Sequence, residues 1–197
     1  MTQAEKGKVY LVGAGPGDPE LLTVRALRLL QTADVVFHDD LVPDEVLALV
    51  HDRALVTSVG KRCGHPRITQ AGIHALLIES SRAGQSVVRL KQGDPLVFGR
   101  AAEEIAALRG AKIDFEVVPG VTAAFAAGAA LQLPLTDRKF ASKLIFATGH
   151  HAEGKDVAPM WQGTLPEDAT LVMYMPGRDT ARIASELRAA GVAADVP

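Results

Sequence analysis

A single cysteine, Cys63, leaves no partner for an internal disulfide and too few thiols for a cysteine-based metal site. It fits a reducing, cytoplasmic setting. Aromatic residues make up only 5% of the chain. No apolar run is long enough to span a bilayer. The most membrane-like stretch, residues 121–131, is bounded by Pro119-Gly120 and Gln132 and reads as a buried helix. Neither sign of charge dominates: 21 Lys and Arg stand against 23 Asp and Glu, a formal net charge of -2. A duplex-coating nucleic-acid binder would be basic, so nucleic acid is not an expected partner, and neither is a membrane. The polar opening, Met1-Thr2-Gln3-Ala4-Glu5-Lys6, has no apolar segment of a targeting peptide after it. What is present, 48% hydrophobic and 22% charged residues over 197 positions, is an ordinary globular balance. That length holds one large domain or two small ones, with a core that needs no staples.

Strand and helix signals alternate along the chain. Apolar runs at residues 9–12, 34–37, 55–59, 87–90 and 115–118 read as strands. Between them lie helical patterns. Asp18 and Pro19 are set to open a helix with Leu22, Ala26, Leu29 and Leu30 inward. Pro43 starts a short one, and Thr69 caps one facing inward through Ile73, Leu76 and Leu77, with Gly84 past its end. Residues 100–109 form another, stopped at Gly110. This alternation predicts an α/β fold with a mostly parallel sheet. Beyond Pro134 two more strands (residues 143–147 and 170–175) and an amphipathic helix (179–190) follow. A boundary near Pro119-Gly120-Val121 gives an N-terminal α/β domain over 1–119 and a C-terminal α/β domain over 120–197. The latter offers only two clear strands and reads as incomplete.

Several loops after strands carry chemistry-bearing residues. Gly13-Ala14-Gly15-Pro16-Gly17 lies between a strand and a helix, where three glycines allow positive φ and close approach of a ligand to the backbone. It is not the dinucleotide fingerprint, whose sixth position must be glycine and here is Asp18. Nor is it a P-loop, since no Gly-Lys-Ser/Thr follows. Lys91-Gln92-Gly93-Asp94-Pro95 is a second such loop, with Asp94 either a plain cap or a ligand acceptor. Asp39 and Asp40 end a strand at the edge where open α/β sheets bind ligands. Position alone favours a solvated turn there; a base is the alternative, because neighbouring carboxylates raise one another's affinity for protons. Lys61, Arg62, His65 and Arg67, with Arg89, Lys91 and Arg100, would form an anion-binding rim if gathered at one sheet edge. Cys63 reads as a bystander, and His150-His151, whose side chains point to opposite faces, as no metal site.

Three separated motifs resemble the signatures of the tetrapyrrole methylases. They are residues 9–19 (VYLVGAGPGDP), residues 89–100 (RLKQGDPLVFGR) and residues 117–124 (VVPGVTAA). Val59-Gly60-Lys61-Arg62 with Gln70, and Leu133-Pro134-Leu135-Thr136, narrow the resemblance to members that methylate uroporphyrinogen III twice to give precorrin-2, on the way to sirohaem and cobalamin. The resemblance implies two α/β domains with S-adenosylmethionine in the cleft between them, S-adenosylhomocysteine as the spent cofactor, and a homodimer. It implies no metal. It places Pro16, Gln92, Gly93, Asp94, Val97, Thr122, Ala123 and Met175 at the cofactor, Asp39 as proton acceptor and Lys61 as proton donor. Lys61, Arg62, Arg67, Arg89, Lys91 and Arg100 become candidates to hold the carboxylates of the substrate. The chain departs from the family at Gln92, where glycine is usual, at Ala101-Ala102 for Gly-Gly, at Asp40 after the acceptor, and at Asp137 for histidine. It also stops short of the family's usual length. A methylase of a later precorrin, a catalytically weak protein that binds S-adenosylmethionine or tetrapyrrole, and a nucleotide-binding regulator are the alternatives.

Overall fold

The structure, a computed structural model, describes residues 3–60, 68–149 and 163–194. The chain divides into two compact units, Met1–Ala126 and Ala127–Pro197. The first is built on a five-stranded sheet of order β3-β2-β4-β1-β5, with β1 Lys8–Gly13, β2 Val35–His38, β3 Leu55–Ser58, β4 Val87–Lys91 and β5 Asp114–Val118. Every pairing is parallel. Parallel strands need crossovers, and the helices supply them: α1 Val24–Leu30, α2 Asp44–Leu47, α3 Gln70–Arg82 and α4 Ala101–Gly110.

Because side chains alternate along a strand, β1 feeds both faces of the sheet. Tyr10 and Val12 join Val36, Val88 and Leu90 under Ala26, Leu29 and Leu30 of α1 and Val46 of α2. Val9 and Leu11 join Val35, Phe37 and Val87 under Ile73 and Leu77 of α3 and Ala101 and Leu108 of α4. These buried apolar side chains, at about 1.5–3 kcal/mol for each of the larger ones, dominate the stability of the unit.

Two expectations are corrected. Asp18 does cap a turn, its Oδ1 accepting from Glu20 N at 2.8 Å, but that turn is a three-residue 3-10 segment, Pro19–Leu21. The α-helix begins afresh behind Thr23, whose hydroxyl accepts from Ala26 N at 3.1 Å. The apolar stretch 121–131 is helical as α5, Ala123–Ala130, yet not buried: Ala124 is covered while Phe125 and Leu131 are exposed.

The second unit pairs β6 Lys143–Thr148 with β7 Ala169–Tyr174 in parallel. Phe146 and Tyr174 meet edge to face across them at 5.6 Å. Helix α6, Thr180–Ala189, is capped by Asp179, which accepts from Arg182 N at 2.9 Å. Among the described residues no helix is long and apolar enough to cross a membrane.

At the N-terminal edge of the first sheet, Asp34 ties β2 to β4. Its Oδ2 accepts from Ser86 N at 2.7 Å and Ser86 Oγ at 2.6 Å, and its Oδ1 from Lys6 Nζ at 2.6 Å. The Lys6 ammonium and then Ser86 hold this carboxyl at about 2, below its ordinary 3.8. A depressed acid stabilises the fold above its unfolded value and loses that effect as pH falls through the folded one. Lys6 is largely exposed, so its share is discounted for solvent screening. Asp34→Ala is therefore expected to destabilise by about 1–2 kcal/mol at pH 7. Its gap from wild type should close between pH 4 and pH 2, as read by urea denaturation across that range.

Candidate functional site at the parting of strands β1 and β4

Helices α1 and α2 cover one face of the sheet, α3 and α4 the other. The chain leaving β1 turns to the first face and the chain leaving β4 to the second, although the two strands are neighbours. Their C-terminal ends therefore part, and that crevice is where open α/β sheets take ligands.

Three loops meet at this point. Gly15 N donates to Gly93 O at 3.2 Å and Gly93 N returns a bond to Gly15 O at 2.8 Å, while Ala14 N donates to Lys91 O at 2.7 Å. The loops after β1 and β4 are thus zipped backbone to backbone. The third loop, Pro119-Gly120 after β5, closes over them. A Cβ on Gly13 would stand 2.6 Å from both Gly120 N and Gly93 O. Asp94 clasps the assembly, its Oδ1 accepting from Leu96 N at 2.8 Å and its Oδ2 from Gly120 N at 3.1 Å. This revises the reading of the glycines. Gly15 and Gly17 take positive φ, 69° and 131°, but Gly13 does not; it is small so that other backbones, rather than a ligand, can pass it.

Seven of the sequence-derived cofactor residues follow the C-terminal ends of three adjacent strands. Pro16 lies in the β1 loop, Gln92, Gly93, Asp94 and Val97 in the β4 loop, and Thr122 and Ala123 after β5. Gly93, at φ 68°, faces the backbone of Thr122 and Ala123; a Cβ there would lie 3.9 Å from each. Thr122 is buried and directly precedes α5, its carbonyl accepting from Phe125 N at 3.0 Å. Among the described residues, the Oε1 of Gln92 is buried with no hydrogen-bond partner, and its Nε2 lies 4.0 Å from where a Cβ of Gly17 would be. An orphaned acceptor costs about 1–3 kcal/mol, and a ligand N–H would relieve it. Met175 belongs to the second unit, directly after β7, with φ 48° and its side chain half exposed.

Asp39 follows β2, beside β4, and its N–H donates to Leu90 O at 3.2 Å. Its carboxylate accepts from Nη2 of Arg89. Asp40 turns elsewhere, accepting from Ser58 Oγ at 2.9 Å. The paired-carboxylate reading gives way to two separately tied acids. Lys61, Arg62, Cys63, His65, Arg67 and His150-His151 lie outside the described residues.

The expected cationic rim loses two members. Arg89 and Lys91 alternate along β4 toward α4 and are both buried, 3% and 2% exposed. They converge on Glu104 of α4, itself fully buried. Arg89 Nε donates to Glu104 Oε1 at 3.0 Å, and Lys91 Nζ approaches both carboxylate oxygens at 3.0 Å. Burial first, then the Arg89 guanidinium, lowers the proton affinity of Lys91 below the ordinary 10.5. Arg100 remains exposed at the start of α4, gripped by Glu103 at 2.8 Å, and that bond holds the Glu103 carboxyl below its usual range. Glu104 is the residue that reading the sequence missed. The signal was present: Ala101, Glu104 and Leu108 form the inner stripe of α4, opposite a buried strand with two cations on one face.

The family model for Tetrapyrrole (Corrin/Porphyrin) Methylases matches residues 8–197. The chain belongs to the tetrapyrrole methylases. Among its relatives, a siroheme synthase from Nitrosococcus oceani is 49% identical over 98% of this chain and 41% of its own length. A uroporphyrinogen-III C-methyltransferase from Paracoccus denitrificans is 47% identical over 99% of this chain and 68% of its own. A uroporphyrin-III C-methyltransferase from Thermus thermophilus, solved in complex with S-adenosyl homocysteine, superposes with a TM-score of 0.77 at 42% identity, over 94% of this chain and 73% of that one. This methylase thus spans about two fifths of the length of the siroheme synthase it matches. Its three loop motifs and its parallel sheet are those of a methylase domain.

Proposed function

We propose that the chain is an S-adenosylmethionine-dependent C-methyltransferase that methylates uroporphyrinogen III twice to give precorrin-2. The observation that carries this reading is the 47% identity, over 99% of this chain, to the Paracoccus uroporphyrinogen-III C-methyltransferase. The Thermus relative solved with S-adenosyl homocysteine supports the cofactor.

The residues present fit that cofactor. A nucleoside with an amino-acid tail is rich in N–H donors, and the orphaned Oε1 of Gln92 is an acceptor buried in the loop where they are needed. Pro16, Gln92, Gly93, Asp94, Val97, Thr122 and Ala123 are the residues of the first unit that would hold it. When bound, it supplies a methyl group on a sulfonium, whose carbon–sulfur bond breaks with the electron pair returning to sulfur. The protein's part is chiefly placement. The zipped loops fix backbone groups rigidly at the sheet edge, which favours in-line approach. Asp39 faces the positive charge that builds in the pyrrole ring as its carbon is alkylated, and takes the proton that the ring system then loses. Lys61 is the proposed proton donor. Arg100 is a described cation free of the core that can meet a substrate carboxylate. A homodimer in the cytoplasm completes the reading, the single cysteine agreeing with a reducing compartment.

The test is incubation with S-adenosylmethionine and uroporphyrinogen III under anaerobic conditions, followed by mass spectrometry. Two successive methyl additions are expected. No transfer to this substrate, with transfer to a later precorrin, would overturn the substrate assignment.

A further inference from the structure

We infer that Glu104 is a positioning residue for Asp39: by neutralising and clamping Arg89 and Lys91 beneath the sheet edge, it sets the place and the charge environment of the carboxylate that accepts the substrate's proton. This rests on the proton-acceptor role given to Asp39 above. Arg89 stands between the two acids. Its Nη2 reaches Asp39, its Nε donates to Glu104 at 3.0 Å, and its Nη1 donates to Leu90 O at 3.2 Å. A guanidinium tied on three sides in a buried site has one orientation, so the Asp39 carboxylate it holds has one as well. Two buried cations near one carboxylate would make it a poor base. Glu104 supplies the second negative charge, and the quartet is neutral.

Among the described residues, the charged groups around these acids are the following. Facing Glu104 are Arg89 and Lys91 from β4, Asp39 from the end of β2, and Arg100 and Glu103 from its own helix. His74 of α3 reaches Glu103. Around Asp39 stand Arg89, Lys91, Asp40 and His38, whose Nδ1 lies 2.9 Å from Asp39 O. None of these others offsets Lys91 at contact distance as Glu104 does.

The test exploits opposite signs. Glu104→Gln keeps an acceptor for Arg89 but removes a negative charge, which favours the ionised form of Asp39. The acid limb of the pH–rate profile for methylation is expected to move down by about half a unit or more. Turnover near neutrality should fall by about two- to threefold as the base weakens. Lys91→Met removes a positive charge and is expected to move the limb up by a similar amount. The titration midpoint of the Asp39 carboxyl, followed by carbon-13 NMR on aspartate-labelled protein, should move the same way in each variant. That readout needs no turnover. A wild-type protein inactive on uroporphyrinogen III would defeat the functional reading and leave the NMR result to decide this one. Midpoints that stay put in both variants, or move together in one direction, overturn the inference. If Glu104→Gln does not fold, Lys91→Met alone still carries the sign.

Discussion

Asp39→Ala is expected to reduce turnover on uroporphyrinogen III by two to four orders of magnitude, the range general acid–base catalysis supplies, while S-adenosylmethionine binds within about threefold of wild type. The asymmetry follows from placement. Asp39 follows β2, and the proposed cofactor loops follow β1, β4 and β5, so its side chain is no part of the backbone zipper between Gly15 and Gly93. Stability should change little, because the carboxylate is about one-third exposed and Arg89 keeps Glu104 and the Leu90 carbonyl as acceptors. Asp39→Asn separates charge from shape: the amide oxygen can still accept from Arg89, but it takes no proton. Single-turnover kinetics with calorimetric measurement of cofactor binding checks both halves. Equal loss of turnover and cofactor affinity would mean that Asp39 shapes the pocket rather than serving the proton.

Much of this arrangement is legible in the sequence, and the reasons are local. Continuous apolar runs such as Val9-Tyr10-Leu11-Val12 signal strands buried on both faces, and those four residues of β1 are completely covered. Thr69 announces α3 because a threonine hydroxyl can take the free amide of Gly72, as it does at 3.1 Å. Where the reading fails, the competing effect is long-range. The residues of α5, Ala-Ala-Phe-Ala-Ala-Gly-Ala-Ala, are apolar all round and so carry no periodic signal of which side is covered. Arg89 and Lys91 look like surface cations for an anionic substrate until an acid 13 and 15 residues further on takes them inside. Glycine-rich loops are ambiguous in the same way. Gly13 and Gly15 look alike in the sequence, yet one meets a steric demand from a loop more than 100 residues away and the other a backbone angle.

That distinction yields the second large effect. Gly13→Ala puts a methyl group 2.6 Å from Gly120 N and from Gly93 O, and both obstacles are backbone, so no side chain can swing aside. Gly120→Ala meets Gly93 O and the Cα of Gly13 from the opposite side of the same contact. Each is expected to destabilise by about 3 kcal/mol, the upper end of overpacking, lowering the melting temperature by on the order of 10 °C. Each should also weaken S-adenosylmethionine binding at least tenfold, because parting the β1 and β4 loops breaks the Gly15–Gly93 pair that joins the loops carrying Pro16 and Gln92. Gly110→Ala is the control. Gly110 ends α4 with no atom within 4 Å of an added Cβ and without positive φ, so alanine there should stabilise by about 0.5 kcal/mol and leave binding unchanged. Thermal unfolding and calorimetry on the three variants read the outcome. A Gly13→Ala protein as stable as wild type would mean that the loops have slack the packing does not show, and cofactor placement would then have to come from side chains instead of the backbone zipper.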